Sequence, residues 1–308
     1  MKRNFISILD WTSEEIQANI ELALELKKLT KQGECPKLLE QKVYAMIFHK
    51  ESLRTRVSFE VGIFQLGGAA IHLTANDFVL GERESVPDVA QVTSRFVDGI
   101  LIRTFEHQSV IDLSKYAEVP VVNMLTDWNH PCQVMADALT IQEHFKKLKG
   151  LKIAYLGDGN NMTNSWLCLA ARIPLNLSIG TSPDSLPDMD LFERVKSAGL
   201  SEVSISHSAE EAVENADVLY TDVWASMGKK DQAKRKIIQL KDFQINQKLL
   251  ERAKSEAIVM HCLPAERGLE ITDEVLDGPQ SVVLDQAENR LHAQKAILVQ
   301  LARWQQNP

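Results

Sequence analysis

Residues 43–68 read VYAMIF-HKES-LRTRVSFEVGIFQL-GG, and the change of pattern within them sets the fold class. Val43 to Phe48 is a short apolar run of the kind a strand covered on both faces needs. His49 to Ser52 is polar. From Leu53 to Leu66 apolar residues recur at helical spacing, and Gly67-Gly68 offers the left-handed turn that ends helices. The stretch therefore reads as strand, loop, helix, the repeating step of an α/β protein.

The same step recurs on both sides. Upstream, Thr12-Ser13-Glu14-Glu15 has capping-box spacing, with Ile16, Ile20, Ala23 and Leu24 following at helical intervals. Downstream, strands are expected at Ala69–Leu73, Gly99–Ile102 and Val119–Met124, with helices starting near Ser85 and Ser109. A long helix should run from His130-Pro131 to about Lys149-Gly150. The cycle then restarts with strands at Lys152–Leu156, Asn176–Ile179, Val203–Ile205, Val218–Tyr220, Ala257–Met260 and Val282–Leu284, and a last helix from about Asn289 to Gln305. Strands alternating with helices imply two doubly wound parallel-sheet domains, residues 1–149 and 150–288. The closing helix, about 289–308, is expected to pack back on the first. In such sheets ligands bind beyond the carboxyl ends of the strands, so the active site is expected in the cleft between the domains.

Composition narrows the function. At 308 residues the chain is too long for one ordinary core; it is 44% hydrophobic and 25% charged, as soluble globular proteins are. A formal charge of -8 and a pI near 5.6 argue against a nucleic-acid surface. Cys35, Cys132, Cys168 and Cys262 form no C-x-x-C pair, so neither a zinc site nor a disulfide framework is expected, and a cytoplasmic location is. No apolar run is long enough to cross a bilayer, and Asp10 interrupts the N-terminus before a signal peptide could form. No cofactor and no metal are expected.

The residue choice after the Val43 strand is the first chemical signal. Ser52, Leu53, Arg54, Thr55 and Arg56 open a helix, where the backbone dipole disfavours cations. A bound phosphate supplies a reason for two arginines there, because free amides, hydroxyls and guanidinium groups together make an anion site. The plainer alternative is a Ser N-cap with a solvated basic first turn.

The S-x-R-T-R string also resembles the carbamoyl-phosphate signature of the aspartate/ornithine carbamoyltransferase family. Three further strings resemble it in the same order: His130-Pro131-Cys132-Gln133, Asp222-Val223-Trp224-Ala225-Ser226-Met227-Gly228, and His261-Cys262-Leu263-Pro264. The tail Asp285-Gln286-Ala287-Glu288-Asn289-Arg290, with His292, belongs with them, and the last strings are similar to the ornithine branch. The resemblance implies transfer of a carbamoyl group from carbamoyl phosphate to the δ-amine of ornithine, giving citrulline and phosphate, and a homotrimer with active sites at subunit borders. It implies that Ser52, Leu53, Arg54 and Thr55 hold the phosphate, that Arg103, His130 and Cys262 are catalytic, and that Gln133, Leu263 and Arg290 complete the carbamoyl phosphate site. Asn161, Asp222, Ser226 and Met227 would hold ornithine.

Each residue also has a physical reading. Arg103 closes a strand, His130 can donate to a carbonyl oxygen that becomes negative, and Gln133 can meet a carbamoyl amide with both donor and acceptor. Asp222 suits a substrate ammonium. Taken singly, a strand-end arginine, a His before Pro, a helical Gln, a capping Asp and a lone buried Cys are each as readily structural. Leu263-Pro264 is expected to be a cis peptide.

Rival readings leave distinct marks. Aspartate as acceptor calls for cations near 222–228 and 261–264, where the chain instead has Asp222, Ser226, Met227 and Cys262. Putrescine or acylated ornithines remain as other acceptors. Gly157-Asp158-Gly159-Asn160-Asn161 opens like a dinucleotide fingerprint, but Met162 stands where the third glycine belongs. A non-catalytic binding relative should lack some of Arg54, Arg103, His130 or Asp222, and all are present. One departure counts against a complete match: Val79 stands where many bacterial relatives carry a Gln that touches carbamoyl phosphate.

Overall fold

The structure is a computed structural model describing residues 2–224 and 230–306. The chain divides into two compact units, Met1–Leu139 with Glu288–Pro308, and Thr140–Ala287.

The first unit holds α1 (Ser13–Lys31), β1 (Val43–Phe48), α2 (Leu53–Gln65), β2 (Ala69–Thr74), α3 (Val86–Ser94), β3 (Gly99–Arg103), α4 (His107–Tyr116), β4 (Val121–Leu125) and the start of α5 (Pro131–Phe145). The capping box at α1 is present in full: Thr12 accepts from the Glu15 amide, and Glu15 accepts from the Thr12 amide. All strand pairs are parallel, in the order β2-β1-β3-β4. Because parallel crossovers are right-handed, starting at β1 and stepping to opposite sides puts helices on both faces. Ala45, Ile47, Ile100, Ile102, Val110, Leu113 and Val121 form one apolar core of this unit.

The second unit continues with β5 (Lys152–Leu156), α6 (Asn161–Ala170), β6 (Asn176–Gly180), α7 (Met189–Ala198), β7 (Glu202–Ser206), α8 (Ala209–Val213), β8 (Val218–Thr221), α9 (Lys230–Leu240), α10 (Gln247–Leu250), β9 (Ile258–His261) and α11 (Asp273–Leu276). Its sheet is parallel in the order β7-β6-β5-β8-β9, over a core that includes Leu156, Leu219, Trp224, Phe243 and Val259. Among the described residues no helix is long and apolar enough to cross a membrane.

The two parallel α/β sheets expected from the sequence are therefore present, with three local differences. Val282–Leu284 is not a strand. Only a single bridge joins Ser281 to Val259, and α12 (Val283–Gln306) begins at once, six residues before the expected start at Asn289. The Val282 amide does reach the Val259 carbonyl at 3.0 Å and Val283 joins the core, but Leu284 is 77% exposed and lies in the helix. The helix expected from His130 ends at Phe145 rather than near Lys149, where Lys146 turns left-handed at φ 59°. α4 starts at His107, two residues before Ser109.

Candidate active site

Each sheet reverses direction at one place, and the candidate residues gather there. In the first unit the reversal lies between β1 and β3, whose last residues Phe48 and Arg103 are paired. In the second it lies between β5 and β8, where Leu156 pairs with Thr221. Loops leaving two such neighbours run to opposite faces and open a crevice at the strand ends, the usual ligand position in these sheets.

In the first unit, Ser52 caps α2 by accepting from the Thr55 amide at 3.3 Å. The first turn contains no acid, while Arg54 and Arg56 both stand in it. Their side chains differ in fate: Arg56 pairs with Glu60 one turn along the exposed surface at 3.3 Å, whereas the Arg54 Nε is buried with no hydrogen-bond partner among the described residues. Leu53 is 75% exposed, so it offers its amide and little else.

Thr55 is the hub. Fully buried, its hydroxyl oxygen accepts from Arg103 at 3.2 Å and Arg290 at 2.7 Å, and from the Ser52 hydroxyl at 3.0 Å. Two guanidinium groups from β3 and α12 are thus fixed against one oxygen at a helix start. The β3–β4 register slips between Ile102 and Arg103, an irregularity of the sort that re-aims a strand-end side chain. α12 is held to α1 and α2 by the buried Lys295, which donates to Thr30 at 2.7 Å and Gln65 at 2.9 Å.

His130 precedes Pro131, which takes the first helical position of α5, where its missing N–H costs no bond. The loop before it is fastened by Asn129, whose amide bonds the Ile6 carbonyl at 3.2 Å. Burial pushes the His130 imidazole well below its ordinary range, and the positive Arg290, Arg103 and Lys50 push it further. It is a neutral ring among cations. Gln133, one turn on, donates from Nε2 to Asp137 at 2.9 Å, using one of the two hydrogens its amide carries. Cys132 is buried, its thiol pushed up to about 12 by that burial, and has no nucleophilic character.

In the second unit, Asp222 directly follows β8. Its Oδ1 accepts from the Cys262 thiol at 2.9 Å and from the Val223 amide at 2.8 Å, and its Oδ2 accepts from Asn160 at 2.9 Å. Asn160 was not among the residues expected; its neighbour Asn161 was. The Asn160 oxygen caps α6, accepting from Met162 at 2.8 Å and from the buried Tyr155 hydroxyl at 3.2 Å. Asn161 is the first residue of α6 and is half-buried.

The glycines of the G-x-G string have packing duties. Gly157 has φ +128°, and a Cβ there would lie 2.9 Å from the Trp224 indole nitrogen. At Gly159 a Cβ would lie 2.2 Å from the Leu186 backbone. Both are required by neighbours.

Cys262 and Leu263 follow β9. Leu263 is left-handed at φ 54°, and Leu263-Pro264 is cis, as expected. The Leu263 amide donates to His261 Nδ1 at 2.9 Å, so the ring proton must sit on Nε2, which donates to the buried Glu270 at 3.0 Å. Ser226 and Met227 lie outside the described residues. Among the described residues no group of three or more His, Cys, Asp or Glu is placed to hold a metal ion.

The cationic helix start of the first unit suits an anionic ligand, and the acid–thiol pair of the second suits an amine. Comparison with known proteins gives the family. Residues 3–143 match the aspartate/ornithine carbamoyltransferase carbamoyl-P binding domain, and residues 149–301 match the family's Asp/Orn binding domain. The chain belongs to the aspartate/ornithine carbamoyltransferase family. It is 50% identical over 298 residues to the chloroplastic ornithine carbamoyltransferase of Pisum sativum, covering 96% of this chain and 80% of that one. To the ornithine carbamoyltransferase of Methanoculleus marisnigri it is 47% identical, covering 98% and 97%. Among solved structures, the ornithine carbamoyltransferase of Pyrococcus furiosus superposes with a TM-score of 0.92 at 45% identity, covering 96% of each chain.

Proposed function

We propose that this chain transfers the carbamoyl group of carbamoyl phosphate to the δ-amine of L-ornithine, giving L-citrulline and phosphate. The observation that carries the choice of acceptor is the Asp222 carboxylate with the Cys262 thiol at 2.9 Å, an acidic pair suited to an amine and hostile to a second carboxylate. The phosphate takes the amides and hydroxyls of Ser52, Leu53 and Thr55 with Arg54, whose buried Nε lacks a partner among the described residues. Arg103, Arg290 and the neutral His130 meet the carbonyl oxygen, where negative charge grows as the tetrahedral intermediate forms. Gln133 and the Leu263 carbonyl accept from the carbamoyl NH2.

Ornithine takes Asn161 and Asp222, with Ser226 and Met227. Its δ-amine, with an ordinary value of about 10.4, must shed a proton before it attacks, and Cys262 with Asp222 is the group beside which it does so. The amine nitrogen then bonds to the carbamoyl carbon, its surplus proton passes to the departing phosphate, and the C–O bond to phosphate breaks. The test is citrulline formation from carbamoyl phosphate with ornithine, aspartate, putrescine and N-acetylornithine offered in parallel. Turnover with ornithine alone is expected; none with ornithine refutes the reading.

The homotrimer is part of the same proposal. Leu53, Val57, Val61 and Phe64 are all exposed on α2, inside a sector of about 80° from helical spacing. An apolar stripe of this kind on a monomer's surface calls for cover. Val61→Glu should lower the mass seen by light scattering from trimer to monomer; an unchanged mass places the interface elsewhere. The expected cytoplasmic location is supported by the four cysteines, all free thiols.

A further inference from the structure

Asp137 has no part in the account so far, and its position is costly. It is fully buried on α5, a helix whose neighbouring positions Val134, Met135, Ala136, Ala138 and Leu139 are buried and apolar. Carboxylates enter such places only with a compensating task. Its Oδ1 lies 2.9 Å from Gln133 Nε2, one helical turn back.

The direction of an amide side chain is usually ambiguous, because oxygen and nitrogen look alike. Here the partner decides it. Asp137 accepts at Oδ1, so Gln133 turns its NH2 toward Asp137 and its oxygen away. That oxygen is buried and has no hydrogen-bond partner among the described residues.

We propose that Asp137 is a positioning residue that locks the Gln133 amide with its acceptor outward, so that the site selects an acyl phosphate bearing an NH2 over one bearing a methyl group. The inference rests on the carbamoyl phosphate reading above and adds a determinant of donor specificity. Acetyl phosphate has the same phosphate, the same carbonyl and a methyl where carbamoyl phosphate has its NH2. The methyl cannot satisfy the Gln133 oxygen, and leaving a buried acceptor unmet is the stronger form of discrimination. Without Asp137 the amide is free to flip. Its NH2 would then face the NH2 of the donor, and the preference would fall.

The test compares the binding of carbamoyl phosphate and acetyl phosphate by calorimetry without ornithine, for the wild type, Asp137→Asn, Asp137→Ser, Gln133→Leu and the Asp137→Asn/Gln133→Leu double variant. The wild type should prefer carbamoyl phosphate by about tenfold or more. Asp137→Asn should lower that preference about fivefold while acetyl phosphate affinity moves less than about twofold. The double variant should lose no more preference than Gln133→Leu does, since Asp137 acts only through Gln133. Asp137→Ser serves should the Asn variant not fold. A wild type without preference, an equal loss for both ligands, or fully additive losses in the double variant each overturn the inference. Citrulline formation by the wild type is assayed beside it, so absence of transfer counts against the proposed function and leaves the binding comparison to stand by itself.

Discussion

Asn160 offers the sharpest examination of how the acceptor half is held, because its one side chain does two separable jobs. As N-cap of α6 it accepts from Met162 and from Tyr155, and through Nδ2 it donates to Asp222 at 2.9 Å. Asn160→Ala removes both jobs. Loss of the cap costs about 1 kcal/mol, and loss of a hydrogen bond to a carboxylate about 1.5–3 kcal/mol, so about 3 kcal/mol of stability should disappear. Asn160→Asp separates them, since Asp caps as well as Asn. It puts a second carboxylate against Asp222, where two charges about 4 Å apart repel by about 4 kcal/mol at an effective dielectric of 20. One carboxyl of that pair must be raised above its unfolded value of about 3.9. The folded variant then holds a proton that the unfolded chain has released, so stability present at low pH is lost as pH rises through the raised value. Urea unfolding followed by tryptophan fluorescence at pH 5 and pH 8 reads this directly. Relative to wild type, Asn160→Asp should lose about 1.5 kcal/mol at pH 5 and about 4 kcal/mol at pH 8, while Asn160→Ala should be weakened about equally at both. If the Asp variant shows no such pH dependence, or the Ala variant stays within about 0.5 kcal/mol of wild type, Asn160 does not hold Asp222 as described.

Thr55→Val keeps shape and removes the oxygen that Arg103 and Arg290 share; kcat/KM for carbamoyl phosphate should fall about 100-fold, in steady-state assays, with ornithine KM changing little. Because burial and three cations keep His130 neutral, it should contribute no acid limb above pH 6, and the rate should rise from pH 6 to 9 as free δ-amine accumulates. A flat profile over that range contradicts the mechanism. His292, pushed down to about 4 chiefly by burial and then by Lys295, should weaken the fold in acid: the unfolded chain protonates near 6.5 and the folded one does not. His292→Gln should therefore recover up to about 3 kcal/mol of the loss in unfolding free energy that the wild type shows between pH 7 and 4.

Much of this was readable in the residues. The strand–loop–helix change at 43–68 and the sites after β1, β3, β8 and β9 follow from local pattern, because apolar runs and strand ends are local properties. Two things were not local. Asn160 could be recognised as a helix cap, but its bond to Asp222 joins residues 62 apart in the chain, and sequence likeness pointed to Asn161 instead. Asp137 hides in a helix whose burial on every side is decided by tertiary packing, so nothing marked it as buried or Gln133 as already donating. Val282–Leu284 misled for the opposite reason: three apolar residues suit a strand or a helix start, and only the partner at Val259 decides.

The return of the last helix to the first unit has a consequence for biosynthesis. Arg290 meets Thr55 across 235 residues of intervening chain. At a synthesis rate of about 5–20 residues per second, on the order of 10–50 s pass between the emergence of the two. Throughout that interval the nascent first unit has Thr30, Gln65 and Gly62 without the Lys295 that meets them in the finished protein. The residues translated first are thus completed last, and the second unit, wholly encoded in between, is free to fold ahead of them. A premature stop at codon 288, 289 or 290 would leave the second unit's sequence, Thr140–Ala287, whole and take Arg290 from the phosphate end.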